Sequence, residues 1–167
     1  MNLHAKKKRK KGYAMLELLF YIAIFSVLSV ALTEAVITMT KSFRETSIQR
    51  EFTQSAGIME RMSREIKSAR GINSISSSSL TLDATDEAGE DKTVTFSLSG
   101  GSVQVTENGT LIGNLNSENT EVTGLVFTEI TTAEGKAVRV SLSIRVNADT
   151  QNRVQDFHNT LVLRGDY

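Results

Sequence analysis

The 167-residue sequence contains no cysteine, no proline and no tryptophan. The absence of cysteine excludes disulfide bonds, a lipid-modified cysteine anchor, thiolate metal sites and thiol catalysis. The absence of proline removes the residue that most often ends or bends a helix, so a long helix can continue without a break. The length suits one compact domain of about 100 to 150 residues with an appendage.

Residue types that carry out catalysis are also scarce. The two histidines are His4, close to the N-terminus, and His158, in a predicted strand, and no glycine-rich phosphate loop is present. A two-histidine metal centre or a Ser-His-Asp arrangement therefore has too few residues. Paired aspartate and glutamate catalysis stays open, although no pattern points to it. We expect the protein not to be an enzyme and to need no cofactor, and we expect His158 to lie on a sheet surface.

Charge is unevenly distributed along the chain, although the formal net charge is zero. Residues 1–12 contain six Lys/Arg and no acidic residue. Residues 35–70 contain seven basic and four acidic residues, whereas residues 71–167 contain six basic and 13 acidic ones. A basic arm, a basic stem and an acidic head therefore follow one another. The basic excess of the stem is small and typical of a solvated helix face, so we expect no nucleic-acid partner.

A long apolar segment follows the basic arm. The 21 residues from Tyr13 to Thr33 contain one formal charge, on Glu17. About 20 apolar residues at about 1.5 Å each cross a bilayer core. Because Lys/Arg clusters beside such a segment stay on the cytoplasmic side, we expect the arm inside and the residues beyond about 35 outside.

A secretory signal peptide is the main alternative for this segment. Ser29-Val30-Ala31 resembles a small-x-small cleavage site. However, the apolar stretch is longer than the usual 7 to 15 residues and contains a carboxylate. The helical pattern also continues past Ala31, which favours an uncleaved membrane segment.

The junction between arm and apolar segment, Lys11 to Leu19, reads KGYAMLELL. It resembles the processing motif of type IV prepilins, in which a basic leader ends in glycine and is followed by an aromatic residue, three small or apolar residues and glutamate. By this resemblance, Gly12 matches the cleavage-site glycine. Tyr13 matches the residue that prepilin peptidase exposes and N-methylates. Glu17 matches the carboxylate that pairs with the terminal amine of a neighbouring subunit in this family.

Physical chemistry supports a role for Glu17 in assembly. An ionisable group in a membrane segment costs about 3 kcal/mol on insertion scales, so it commonly has a partner or a function. An amine about 4 Å away returns roughly 4 kcal/mol at an effective dielectric constant near 20. The alternative is that Glu17, only five residues after Gly12, reaches the membrane interface and is solvated there.

Helical periodicity continues beyond the apolar segment. A stripe with alternating steps of four and three predicts an amphipathic stem that seats the head; its members are Ile48, Phe52, Ser55, Met59, Met62, Ile66 and Ala69. Glu60 and Arg64 form a favourable i, i+4 pair. We expect the helix to reach Arg70 and to end with Gly71 at its C′ position.

Two-residue alternation replaces helical periodicity after Ile72 and predicts an antiparallel sheet of about seven or eight short strands packed against the helix, an α+β fold. Gly100-Gly101 and Asn108-Gly109 predict hairpin turns. The strand positions are Leu80 and Leu82; Val94, Phe96 and Leu98; Val103 and Val105; Leu125 and Phe127; Val138, Val140, Leu142, Ile144 and Val146; and Phe157, Leu161 and Leu163. On the strand from Val138 to Val146, the intervening Arg139, Ser141, Ser143 and Arg145 predict a solvated face.

Three polar segments of the head have simple interpretations. An acidic loop offers weak candidates for calcium ligands, Asp83, Asp86, Glu87, Glu90 and Asp91, but its spacing matches no EF-hand, so a solvated turn is favoured. Asn108-Gly109-Thr110 fits a glycosylation acceptor, yet Asn-Gly is already the expected hairpin dipeptide. Ser76–Ser79 is interpreted as a flexible linker.

These observations predict four segments: a basic prepilin leader (1–12), a transmembrane or filament-core helix (13–34), an amphipathic helical stem (35–70) and a β-rich extracytoplasmic head (71–167). This plan is similar to minor pilins and pseudopilins of the PilW/GspJ type. The resemblance implies a structural subunit of a type IV pilus or a type II secretion-like filament, placed at the tip or active in initiation.

The implied partners are other pilin or pseudopilin subunits, prepilin peptidase and the lipid membrane. The implied location is a single pass through the inner or cytoplasmic membrane, with the N-terminus inside and the head outside, and later an extracytoplasmic filament. A membrane-anchored extracytoplasmic binding domain that never polymerises is the alternative. A retractable pilus, a secretion system and a DNA-uptake pilus all contain subunits with this plan.

Overall fold

The computed structural model describes residues 11–86, 88–132 and 135–163. These residues form one helix and eight strands. The elements are α1 (Lys11–Ser68), β1 (Gly71–Ile75), β2 (Ser79–Thr85), β3 (Asp91–Ser99), β4 (Ser102–Glu107), β5 (Thr110–Asn114), β6 (Thr120–Thr132), β7 (Gly135–Val146) and β8 (Val154–Val162). The chain divides into two compact units, and the boundary along the sequence lies between Glu45 and Thr46.

The first unit is helical throughout its described part. From Tyr13 to Glu45 the side chains are exposed except for that of Ser29, which is half-buried. The helix is long and apolar enough to cross a membrane. The prediction of a membrane-compatible segment near the N-terminus is thereby confirmed.

The second unit contains the end of α1 and two antiparallel sheets, which confirms the α+β prediction. Sheet A has the strand order β1-β2-β3-β4-β5, and sheet B has the order β6-β7-β8. The sequence predicted one sheet, and this detail was wrong. The two sheets are joined by backbone hydrogen bonds, from Phe127 N–H to the Ser77 carbonyl (3.0 Å) and from Val122 N–H to the Gly101 carbonyl (2.8 Å).

The predicted stripe of the stem is buried throughout. Its members Met59, Met62, Ile66 and Ala69 join the main core, and Ile48 and Phe52 pack with Val146 in a smaller cluster. Ile58, which lies beside the predicted stripe, is buried as well. On β7, Val138, Val140, Leu142, Ile144 and Val146 are buried, and the residues between them are half-buried or exposed. The apolar side chains of helix and sheets thus form the core that fixes the head.

Two glycine-containing hairpin turns have the predicted position and geometry. Gly100 and Gly101 have φ values of 57° and 76° and connect β3 to β4. Asn108 and Gly109 have φ values of 49° and 79° and connect β4 to β5. Positive φ at both central residues is the requirement of a type I′ turn, which explains these dipeptides.

The predicted helix end was wrong by two residues. Helix α1 ends at Ser68, and Gly71 is the first residue of β1 with no positive φ. Arg70 N–H donates to the carbonyl of Asp83 (2.8 Å), so strand pairing replaces a helix cap. The segment Ser76–Ser79, which the sequence analysis interpreted as a flexible linker, is a tight turn between β1 and β2. In this turn Ser76 N–H donates to the Ser79 carbonyl (2.8 Å).

Candidate functional site

The motif of Gly12, Tyr13 and Glu17 lies at the start of α1. The helix begins at Lys11, so Gly12 and Tyr13 are in its first turn. Residues 1–10 of the leader lie outside the described residues. The roles of Gly12, Tyr13 and Glu17 in processing and assembly therefore stay predictions from the motif.

Glu17 has a polar neighbour that sequence reasoning missed. The hydroxyl of Tyr21 donates a hydrogen bond to Oε1 of Glu17 at 3.1 Å. The i, i+4 spacing places both side chains on one helix face, so the sequence contained the signal. Because a carboxylate offers about four acceptor sites, this bond leaves capacity for a second donor such as an amine. The hydrogen bond with Tyr21 thus keeps the Glu17 side chain on one face of α1, where it is exposed.

Three hydroxyls along the first part of α1 bond to the helix itself. Ser26, Thr33 and Thr40 donate to the carbonyls four residues earlier, at 2.8 to 2.9 Å. Such bonds satisfy a hydroxyl without water. These three bonds suit a lipid or protein environment, in which unsatisfied polar groups are costly. Within the segment from Tyr13 to Thr33, Glu17 is the one residue with a formal charge.

The acidic loop of the head uses its carboxylates in local contacts. Asp86 Oδ1 accepts hydrogen bonds from the N–H groups of Ala88 and Glu90, both at 2.9 Å, which stabilises the turn. Asp83 Oδ1 accepts from the Asn73 side-chain amide at 3.0 Å. Among the residues that the structure describes, no group of three or more His, Asp and Glu is placed to hold a metal ion.

Two further calcium candidates of this loop are Asp91 and Glu87. Asp91 forms an ion pair with Arg70 at 2.5 Å. Glu87 lies outside the described residues. Within the described part of the loop, the carboxylate of Asp86 caps the backbone and that of Asp91 pairs with a base.

His158 lies exposed on β8, as predicted. Its Nδ1 is 3.0 Å from the Ser141 hydroxyl. The nearby carboxylate of Asp156 accepts a hydrogen bond from Ser143 at 2.6 Å. A nucleophilic triad needs the carboxylate to orient the imidazole, and here Asp156 bonds to a second serine instead.

Asp149 is a buried carboxylate that sequence reasoning missed. It lies in the turn between β7 and β8, where Oδ2 accepts from Nε of Arg153 at 2.8 Å. The backbone N–H groups of Gln151 and Arg153 donate to the same carboxylate at 3.0 and 3.1 Å. The side-chain hydrogen bond from Arg153 is the largest cause that lowers the pKa of Asp149 to about 2, and the two backbone bonds add to it. These contacts give Asp149 a role in fixing the turn.

No protein-family model, no curated protein and no solved structure matches this chain. The interpretation of Gly12, Tyr13 and Glu17 therefore depends on the sequence motif and on the exposed apolar helix that surrounds it.

Proposed function

We propose that the protein is a structural subunit of a type IV pilus or a type II secretion-like filament and has no enzymatic activity. The observation that carries the proposal is the position of Glu17. It is the sole formal charge between Tyr13 and Thr33, on a helical segment whose side chains are exposed on every face. A filament made of such helices supplies both an apolar environment and a partner for the carboxylate.

The exposed apolar surface requires a partner of some kind. Soluble monomers rarely expose apolar patches of more than a few hundred Å². Lipid covers this surface before assembly, and the helices of neighbouring subunits cover it afterwards. A simple membrane anchor explains the apolar surface but gives Glu17 no role. Pairing with the terminal amine of a neighbouring subunit explains both, and it offsets the cost of about 3 kcal/mol for placing the carboxylate in the membrane.

Processing by prepilin peptidase supplies that amine. Cleavage after Gly12 removes the basic arm and makes Tyr13 the first residue, with a methylated amino group. The Lys/Arg cluster holds the arm on the cytoplasmic side before cleavage, so the head is outside the cytoplasmic membrane. The partners are then the peptidase, the membrane and other pilin or pseudopilin subunits.

Replacement of Glu17 tests the proposal. Glu17→Leu removes the partner of the amine and makes insertion into the membrane easier. We expect normal amounts in the membrane, a head with unchanged protease resistance, and incorporation into sheared filaments reduced at least about tenfold. Glu34→Gln is the matched control, because it removes the next carboxylate of the same helix. Normal incorporation of Glu17→Leu into filaments would show that Glu17 has no role in assembly.

Within such a filament, we place this subunit at or near the tip as a minor component. The support is its resemblance to minor pilins and pseudopilins and its head of two sheets with six basic and 13 acidic residues. Stacking many such heads would bring acidic groups close to one another. These like charges repel when they are closer than the screening length, which is about 8 Å at physiological salt. Proteomics of sheared filaments should find the protein far below the main pilin, and its deletion should lower filament number more than filament length.

The alternative is a membrane-anchored head that binds a ligand and never polymerises. An open groove beside β8 favours a binding role for the head. This alternative predicts that Glu17→Leu behaves like Glu34→Gln in every assay.

A further inference from the structure

The open edge of β8 differs from the other sheet edges of the described residues. Sheets A and B end in four edge strands, β1, β5, β6 and β8. The ladders of β1, β5 and β6 each contain a register irregularity. The ladder of β8 on β7 runs in register from Val154 to Val162 without one. Bulges and short length protect edges against further pairing, so β8 is the edge best suited to accept another strand.

The backbone groups of β8 alternate between β7 and the open side. Leu163 N–H donates to the carbonyl of Lys136 at 3.1 Å, so Leu163 is one of the residues whose backbone groups point toward β7. In an antiparallel pair the hydrogen-bonded positions recur every second residue. Thr160 and Val162 therefore direct their N–H and C=O groups away from β7. The side chain of Val162 is exposed.

A groove runs between this edge and the last turns of α1. It has a volume of about 710 Å³ and is lined by Arg64, Lys67 and Ser68 on one side and by residues 159–163 on the other. The side-chain amide of Asn159 donates to the Ser63 hydroxyl at 3.2 Å and ties the strand to the helix. The groove is thus part of the folded head.

The charge of the groove indicates what it accepts. Its lining contains two bases and no acidic residue. Arg64 has an ion pair with Glu60 at 3.5 Å, but both side chains are exposed, and such pairs contribute little. The guanidinium and ammonium groups are therefore able to turn toward carboxylates of a ligand. Main-chain pairing with the edge and charge pairing with the helix would act on the same extended segment.

We propose that this groove accepts an extended, acidic segment of a second protein as a fourth strand of sheet B. The segment pairs its main chain with the outward groups of Thr160 and Val162. Its carboxylates contact Arg64 and Lys67. Docking at this edge is separate from the action of Glu17, so a defect in one leaves the other unchanged.

Peptide binding tests the proposal on the full chain in detergent micelles. The probe is a fluorescent heptapeptide that alternates valine and glutamate, and the comparison peptide carries lysine in place of glutamate. We expect saturable binding of the glutamate peptide, at least about tenfold weaker binding of the lysine peptide, and weakening at high salt. Equal affinity for both peptides, or no binding of the glutamate peptide, would overturn the proposal.

Two sets of variants separate charge pairing from strand addition. Arg64→Glu with Lys67→Glu should weaken binding at least about tenfold, whereas Arg61→Glu, a basic residue outside the groove lining, should not. Thr160→Pro removes an outward N–H and should also weaken binding about tenfold. Val154→Pro is its control, since proline is tolerated at the first residue of a strand. Full binding by a folded Thr160→Pro variant would exclude strand addition.

Hydrogen exchange on the wild-type chain tests strand addition without any variant, so its result does not depend on how well Thr160→Pro folds. In the wild-type chain, the peptide should protect the amides of Thr160 and Val162, while those of β5 exchange at an unchanged rate. Binding without this protection would overturn the proposal. Self-association through β8 in the absence of peptide would overturn the assignment to a second protein.

Discussion

The two halves of α1 have the same backbone conformation but different surfaces. From Tyr13 to Glu45 apolar residues occupy all faces, and every side chain except that of Ser29 is exposed. From Ile48 to Ala69 they form one stripe, which is buried against the sheets. An all-round apolar helix belongs in lipid or among other helices, whereas a striped helix belongs on the surface of a domain. The two halves are both helical, so it is the pattern of side chains that separates them: the first half is compatible with a membrane span, and the second packs into the core of the head.

Removal of the first half should have the largest effect. A fragment that begins at Lys41 lacks the all-round apolar segment and keeps the whole buried stripe. We expect it to be soluble without detergent, whereas the full chain requires detergent or membrane. Circular dichroism should show helix and strand together. Aggregation of the fragment, with loss of both signals, would mean that the head depends on the first half of α1.

The same substitution in the two halves should have unequal effects on the free energy of unfolding. Ile66→Ala empties a position that is 0% exposed and should cost about 2 to 5 kcal/mol. Ile24→Ala changes a position that is 57% exposed and should leave the melting of the head unchanged. Thermal unfolding followed by near-ultraviolet circular dichroism compares them. Equal decreases in melting temperature for the two variants would contradict the distinction between the two halves.

Acid should weaken the head through Asp149. Arg153 and the backbone lower the pKa of Asp149 to about 2 in the folded state, below its usual value near 4. The stabilisation is therefore present above about pH 4 and is lost as the pH falls toward 2. Melting temperatures of wild type and Asp149→Asn should differ at pH 7 and converge near pH 2. Arg153→Gln should reproduce part of the loss, and a constant difference across this range would contradict the assignment.

The smallest effect is expected on the solvated face of the second half. Glu60 and Arg64 form an exposed i, i+4 pair at 3.5 Å. Glu60→Ala should lower the free energy of unfolding by no more than about 0.5 kcal/mol. Chemical denaturation measures the difference. A cost as large as that of Ile66→Ala would mean that this face also packs against part of the protein.

Local patterns predicted much of this fold. The buried stripe followed from spacing, and the turns at Gly100-Gly101 and Asn108-Gly109 followed from the need for positive φ. The turn at Asn108-Gly109 implied a following strand, but the residues of β5 were not identified, because its apolar residues Leu111 and Ile112 are adjacent and both exposed and so show no alternation. The division into two sheets was missed because it depends on contacts between distant segments, such as Val122 with Gly101.

The candidate sites differ in the same way: some follow from residues close together in the sequence, and others depend on contacts between distant segments. The hydrogen bond between Glu17 and Tyr21 has a helical spacing and was open to prediction. The burial of Asp149 was not, because turn residues carry no periodic signal of depth. The groove beside β8 requires the end of α1 and residues 159–163 to be close in space, which no local pattern reveals.

Mass spectrometry of the N-terminal peptide from the membrane-derived protein tests the filament role most directly. We predict a mature chain that begins at N-methylated Tyr13, and an uncut precursor when Gly12 is replaced by a bulky residue such as leucine. Ala23→Leu, in the same helix but outside the motif, should be processed normally. A chain that begins at Leu32, after Ser29-Val30-Ala31, would contradict the account, because cleavage there removes Glu17 and leaves a secreted head.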